Sequence, residues 1–235
     1  MISIPYLICS ILSFVPAIVC HEACHGFAAY KLGDSTAQRA GRLSLNPLKH
    51  IDPFGTVILP LLLMVMGWPV FGYAKPVPYN PAYFKDPRKG DLIVGLAGPA
   101  ANLVLAVLGA VVYTLVMLVL PVSALAQNDV FYYFLTLFLP MFSLINLYLM
   151  FFNLLPIPPL DGSHALNLAV SALFGPLVGD AVAALAGVLC SLALLGGGVY
   201  LYVQTRGGAL VIFAALALLL SALKELRLAR RAIKV

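Results

Sequence analysis

Between residues 20 and 25 the chain reads Cys20-His21-Glu22-Ala23-Cys24-His25. Residues four apart on an α-helix stack on one face, about 6 Å apart along the axis, so His21 and His25 can converge on one Zn²⁺. Glu22 lies beside the first imidazole without ligating. It is placed to take a proton from water activated by the metal and to return it to a leaving amine. The chain holds only four histidines and two glutamates in 235 residues. Ionisable groups inside apolar segments are costly and generally mark function. A lone histidine could be a satisfied core residue; three such groups within five positions point to a metal site.

A catalytic zinc takes three protein ligands and leaves a fourth position for water. Asp161 is the candidate third ligand, in the run Asn153-Leu-Leu-Pro-Ile-Pro-Pro-Leu-Asp161-Gly162. Pro156, Pro158 and Pro159 preclude a regular helix there. Irregular backbone at membrane depth survives only when packed in protein or lining a water-filled cavity. The run therefore reads as a rigid arm delivering a ligand, the alternative being a loop that ends in an ordinary helix N-cap aspartate.

The elements that position these residues must work in lipid. Hydrophobic residues make up 62% of the chain and charged residues 10%, against roughly 45–50% and 25% in soluble domains. The mean hydropathy is +1.01. Such a chain cannot cover its own surface with polar groups, which excludes an ordinary soluble enzyme. The net charge of +5 comes from basic residues in short loops and near the C-terminus, a pattern that suits membrane flanks and not nucleic acid. Cys9, Cys20, Cys24 and Cys190 lie in apolar stretches, without the spacing of a disulfide framework. No Lys or Arg precedes Lys31, so the first segment lacks a signal peptide's basic start and is expected to persist as a span.

Five segments approach the roughly 20 apolar residues that a bilayer requires: 3–30, 91–120, 130–155, 180–203 and 207–223. A sixth, 56–73, is interrupted by Pro60, Gly67 and Pro69. Loops 31–55 and 74–90 on either side of it are both positive and both expected to be cytoplasmic, so 56–73 should dip in and return. Six full spans are the alternative. The predicted class is an all-α polytopic membrane protein of five to six transmembrane helices, with a re-entrant or hairpin segment after the first. Residues 1–165 would form a three-helix catalytic core, 166–223 an amphipathic segment and two further spans, and 224–235 a basic cytoplasmic tail. The N-terminus and the loop 121–129 fall outside, the C-terminus inside. Counting back from Lys31 puts the metal roughly 9–15 Å beneath the cytoplasmic boundary.

At this point the chain resembles the site-2 protease family of intramembrane zinc metalloproteases. Three elements match in order: His21-Glu22-x-x-His25, Gly98-Pro99-Ala-Ala-Asn102, and Asn153 through Asp161-Gly162. Between them, Asn46-Pro47-Leu-Lys-His50-Ile-Asp52-Pro53-Phe-Gly55 is similar to a stretch of the compact bacterial and archaeal branch. The resemblance covers about residues 15–165. It implies a three-helix core in which His21, His25 and Asp161 ligate zinc and Glu22 is the catalytic base. It also implies that Asn102 and Asn153 hold substrate backbone or stabilise the tetrahedral intermediate, although a buried Asn could equally tie helices together. The loop 121–129 is too short for the PDZ domain of some relatives, and no nucleotide-sensing module is expected after the last span. Ser163 and His164 stand where many relatives carry a second Gly.

The leading expectation is an intramembrane zinc metalloprotease with one Zn²⁺ per chain, acting on a transmembrane protein substrate in a bacterial or archaeal cell membrane, near its cytoplasmic side. A helix hides its peptide bonds, so the substrate must unwind; Arg42-Leu-Ser-Leu45 and the 56–73 hairpin are places where it could pair as an added strand. The alternatives are a non-catalytic zinc-bearing scaffold for partner helices and a metal transporter.

Overall fold

The computed structural model describes residues 4–59, 62, 74–119, 130–131, 134–205 and 207–233. Its helices are α1 (Ile4–Lys31), the short α2 (Thr36–Arg39), α3 (Pro87–Val119), α4 (Leu139–Asn153), α5 (Gly162–Phe174), α6 (Pro176–Thr205) and α7 (Ala209–Ile233). Among the described residues there is no β-strand. Among the described residues, five helices are long and apolar enough to cross a membrane: α1, α3, α4 with the π-turn before it (Phe134–Asn153), α6 and α7. The expected all-helical membrane fold is what the chain forms. The basic stretch from 224, expected as a separate tail, continues α7 as far as Ile233, because Ala, Leu, Lys and Arg all favour helix.

Large apolar side chains such as Val104, Leu108 and Leu115 of α3 face outward, as lipid-facing residues should. The buried faces carry small residues instead: Ser13, Ala17 and Gly26 on α1, and Gly95, Gly98 and Gly109 on α3. Small side chains let helix backbones approach closely, which replaces the hydrophobic drive that lipid does not supply. α1, α3 and α4 pack together as a three-helix core, while α5 bridges α3 to α6, and α6 pairs with α7 along its length.

The breaker run between α4 and α5 is anchored on that second group. Ile157 is fully buried and clusters with Leu160 and with Leu218 of α7. Gly187 of α6 gives Pro158 its space, since a Cβ there would stand 2.6 Å from the proline Cδ. Gly162 starts α5 hard against the end of α4, where a Cβ would come within 2.7 Å of the Leu155 carbonyl oxygen and closer still to that of Leu154.

Residues 74–80 run as an irregular strap along α1, with Val77 buried against Gly26. The segment 56–73, expected to be re-entrant, lies largely outside the described residues, as does the loop 121–129. The residues flanking 56–73 meet: the Lys75 N–H donates to the His50 carbonyl at 3.0 Å. Arg42-Leu-Ser-Leu45 is a bend, with the Arg42 side chain buried and its Nη2 3.5 Å from the Lys75 carbonyl.

One carboxylate ties this polar side together. Asp34, fully buried, accepts from the Thr36 N–H at 2.8 Å, the Thr36 hydroxyl and, through its other oxygen, the Asn80 N–H at 2.6 Å. Burial pushes its pKa up, but these donors and the nearby Arg39 charge outweigh it and hold the group below its ordinary value. A depressed folded pKa stabilises the fold above the unfolded value of about 4, and that stabilisation fades as pH falls through the folded value. Asp34→Ala should therefore cost about 2–3 kcal/mol in detergent unfolding assays near neutral pH. The gap to wild type should shrink in the acid range below pH 4.

Candidate metal centre

His21 and His25 sit on adjacent turns of α1, both with little solvent exposure (7% and 9%). Their Nε2 atoms are 3.0 Å apart, and Asp161 Oδ2 lies 3.2 Å from that of His21 and 3.5 Å from that of His25. Bonds of about 2.0–2.2 Å at a tetrahedral ion would separate its donor atoms by about 3.3–3.6 Å, so this triangle is close to the required size.

The tautomers follow from the far side of each ring. His25 Nδ1 lies 2.6 Å from the Val94 carbonyl, which only accepts, so Nδ1 carries the proton. His21 Nδ1 lies 2.6 Å from Asn102 Oδ1. The Asn102 amide is oriented by its own donations to the Ala17 carbonyl at 3.1 Å and to Asn146 Oδ1 at 2.8 Å. In the neutral tautomer with the proton on Nδ1, both imidazoles turn bare Nε2 lone pairs toward each other and toward a carboxylate oxygen. Asp161 Oδ2 is itself buried without a hydrogen-bond partner. Three facing lone pairs in an apolar interior repel unless a cation lies among them, and two imidazoles plus one carboxylate suit Zn²⁺.

Gly98 makes the room. A Cβ built on it would stand 2.6 Å from His21 Cε1 and 2.7 Å from His21 Nε2, and nearer still to His25 Nε2. Pro99, next to it, withholds the N–H that would close that turn of α3, beside the carbonyl that receives His25. Asp161 arrives at the N-cap of α5, on the arm held by Ile157.

Glu22, half-buried, points its Oε2 at the Val77 N–H of the strap, at 3.0 Å. Asn102 is completely buried, with every polar atom engaged behind His21. Asn153, on the last turn of α4, donates to the Leu149 carbonyl of its own helix at 2.9 Å. The structure thus brings His21, His25 and Asp161 together, sets Asn102 directly behind them, and gives Asn153 no hydrogen bond to the ligands.

Sequence reasoning passed over Asn146, the Val94 carbonyl and the Val77 N–H. A backbone group has no signature in a sequence, and Asn146 is one polar residue in an apolar helix. Two further residues beside the site also escaped: Asp91 accepts from Tyr79 and pairs with His164. Burial and the Asp91 carboxylate push the Tyr79 hydroxyl well above its ordinary value, so it remains a donor.

Residues 9–196 match the sequence profile of peptidase family M50. YwhC of Bacillus subtilis (strain 168), named as a zinc metalloprotease, is 43% identical over 158 residues, 67% of this chain and 66% of that one. Rip2 of Mycolicibacterium smegmatis, likewise named as a zinc metalloprotease, is 35% identical over 157 residues, 67% of this chain and 55% of that one. The matches thus span less than two thirds of those relatives' own lengths. Among solved structures, the site-2 protease from Methanocaldococcus jannaschii shares the fold, with a TM-score of 0.50 and 22% identity over 95% of this chain and 80% of that one.

Asn102→Leu removes the partner that fixes His21 while leaving all three ligands in place. Zinc affinity, measured by competition with a chromophoric chelator, should fall about 10- to 100-fold. Asp161→Ala should abolish stoichiometric zinc.

Proposed function

We propose, for a chain that belongs to peptidase family M50, that it is a zinc metalloprotease hydrolysing a peptide bond in or beside a transmembrane segment of another membrane protein. The observation that carries this reading is the convergence of two bare imidazole nitrogens and an unpartnered carboxylate oxygen one residue from Glu22, within a helix long enough to cross a bilayer. The chain is an integral membrane protein.

A zinc ion held by His21, His25 and Asp161, one per chain, would act as a Lewis acid on the scissile carbonyl and acidify the attacking water. Glu22 takes the proton from that water. With Oε2 held by the Val77 N–H, Oε1 is the oxygen left to receive it, and the same carboxyl then returns the proton to the leaving amine. Asn102 acts through His21, keeping its proton on Nδ1 and so leaving its Nε2 lone pair free to hold a zinc ion. Asn153 is the candidate to hold unwound substrate backbone.

The loop charges support a site near the cytoplasmic face, with the N-terminus outside and the C-terminus inside. A re-entrant 56–73 is supported by the hydrogen bond between Lys75 and His50, because a chain that leaves and rejoins at neighbouring residues returns to the side it left. Residues 1–165 then form the catalytic unit, and α6 and α7 brace its ligand arm.

Glu22→Gln keeps an acceptor for Val77 but no base. Purified in detergent, it should retain one zinc per chain and lose about 10²–10⁴-fold in cleavage of a helical model substrate. Undiminished cleavage would refute the assignment. Single cysteines placed at positions 75, 85 and 89 should react with an impermeant thiol reagent only from the cytoplasmic side; labelling from outside would overturn the topology.

A further inference from the structure

The strap 75–80 has few backbone donors to spend. Pro76 and Pro78 carry no N–H, so between Lys75 and Tyr79 the single donor is Val77, and it goes to Glu22. Something must therefore hold the strap in register with α1, and the two bonds at its ends run from Lys75 to His50 and from Asn80 to Asp34, neither of them to a residue of the metal centre.

The Tyr79 hydroxyl donates to Asp91 Oδ1 at 2.7 Å. The other oxygen of the same carboxylate, Oδ2, accepts from His164 Nδ1 at 2.5 Å. His164 sits in the first turn of α5, and its own N–H donates to the Asp161 carbonyl at 3.1 Å. Its side chain packs on α3 at Gly95, where a glycine-replacing Cβ would stand 3.2 Å from the His164 Cβ and 3.3 Å from ring atoms Cγ and Cδ2. Asp91, at the start of α3, thus joins the strap that holds Glu22 to the arm that carries Asp161, one oxygen for each.

We propose that Tyr79, Asp91 and His164 are positioning residues that clip the strap to the ligand arm and so fix where the Glu22 carboxylate stands relative to the Asp161 side of the metal centre. This rests on the protease reading for its catalytic consequence but not for its structural one. Neither oxygen of Asp91 can be given up without freeing one side of the clip. The hydrogen bonds to an ionised carboxylate are of the strong, charge-assisted kind, so loss of either partner is expected to be felt at Glu22. His164 is thereby given a partner: its Nδ1 faces Asp91, and the three donor atoms that converge belong to His21, His25 and Asp161.

The test uses the full-length, zinc-loaded protein in detergent with Tyr79→Phe, His164→Phe, the double variant and His164→Asn, whose amide can donate from near the Nδ1 position. Hydrogen exchange of a peptide covering residues 75–80 reads the clip without any substrate. Exchange should rise about tenfold in either Phe variant, the order expected for one charge-assisted bond. The double variant should be no worse than the worse single, because the three residues act as a unit, and His164→Asn should restore protection. With a helical model substrate, kcat should fall about tenfold in the Phe variants while KM and zinc content stay at wild-type values. Unchanged exchange in both Phe variants, additive losses, or a His164→Asn variant no better than His164→Phe would each overturn the clip. If wild type cleaves nothing while the exchange pattern holds, the clip stands and the protease reading falls. If wild type cleaves and the variants keep its kcat, the clip has no catalytic role and the proposal fails.

Discussion

Two lone pairs and a carboxylate oxygen pointed at one another inside a membrane protein form an arrangement that tolerates little freedom around it. Without a cation they repel, and without rigid support they would rotate apart to find other partners. Much of the described architecture near the centre supplies that support. The Val94 carbonyl and the Asn102 amide hold the far nitrogens, Asn146 and Ala17 hold Asn102 in turn, and Gly98 lets α3 come close enough for these bonds to form. The donors could be named from the sequence, but the cage that keeps them facing each other consists largely of α3.

The remaining helices serve the third donor. Asp161 sits on an arm with three prolines, which prevents it from relaxing into a helix but does not fix where it points. Direction comes from Ile157, sunk among Leu160, Leu218 and Leu194, and from the two close approaches at Gly187 and Gly162. The C-terminal pair α6 and α7, which has no chemical motif of its own, is thus tied to the metal centre by apolar packing. A protein that binds its ligand arm this way couples the geometry of the centre to contacts far along the chain.

The helix with paired histidines and the proline arm were legible in the sequence because local spacing encodes them. Four-residue periodicity places two imidazoles on one face whatever surrounds them, and a proline run cannot be helical in any fold. The five long apolar spans were readable for a similar reason, since hydropathy is a property of each segment by itself. What escaped depends on partners brought together by folding. For Asn102 the sequence left substrate binding and helix tying equally open, and only the fold shows its buried amide engaged from both ends by α1 and α4. His164 stood out in the sequence only as one of two residues near a position where many relatives carry a second Gly, and only the packing of α5 on α3 gives it Asp91. The basic end of the chain read as a tail because charge signals solvent, whereas its helical propensity carries α7 on to Ile233.

With a metal ion bound, the narrow triangle at the centre would also act as a gauge for ionic size. Calcium prefers six to eight oxygen donors at about 2.3–2.6 Å, and seating it here would require the three donor atoms to move apart. His25 cannot retreat without stretching its bond to Val94, and His21 cannot without stretching its bond to Asn102. A small, nitrogen-loving ion is therefore favoured before any competition for affinity begins, because the helices have already set the width of its seat.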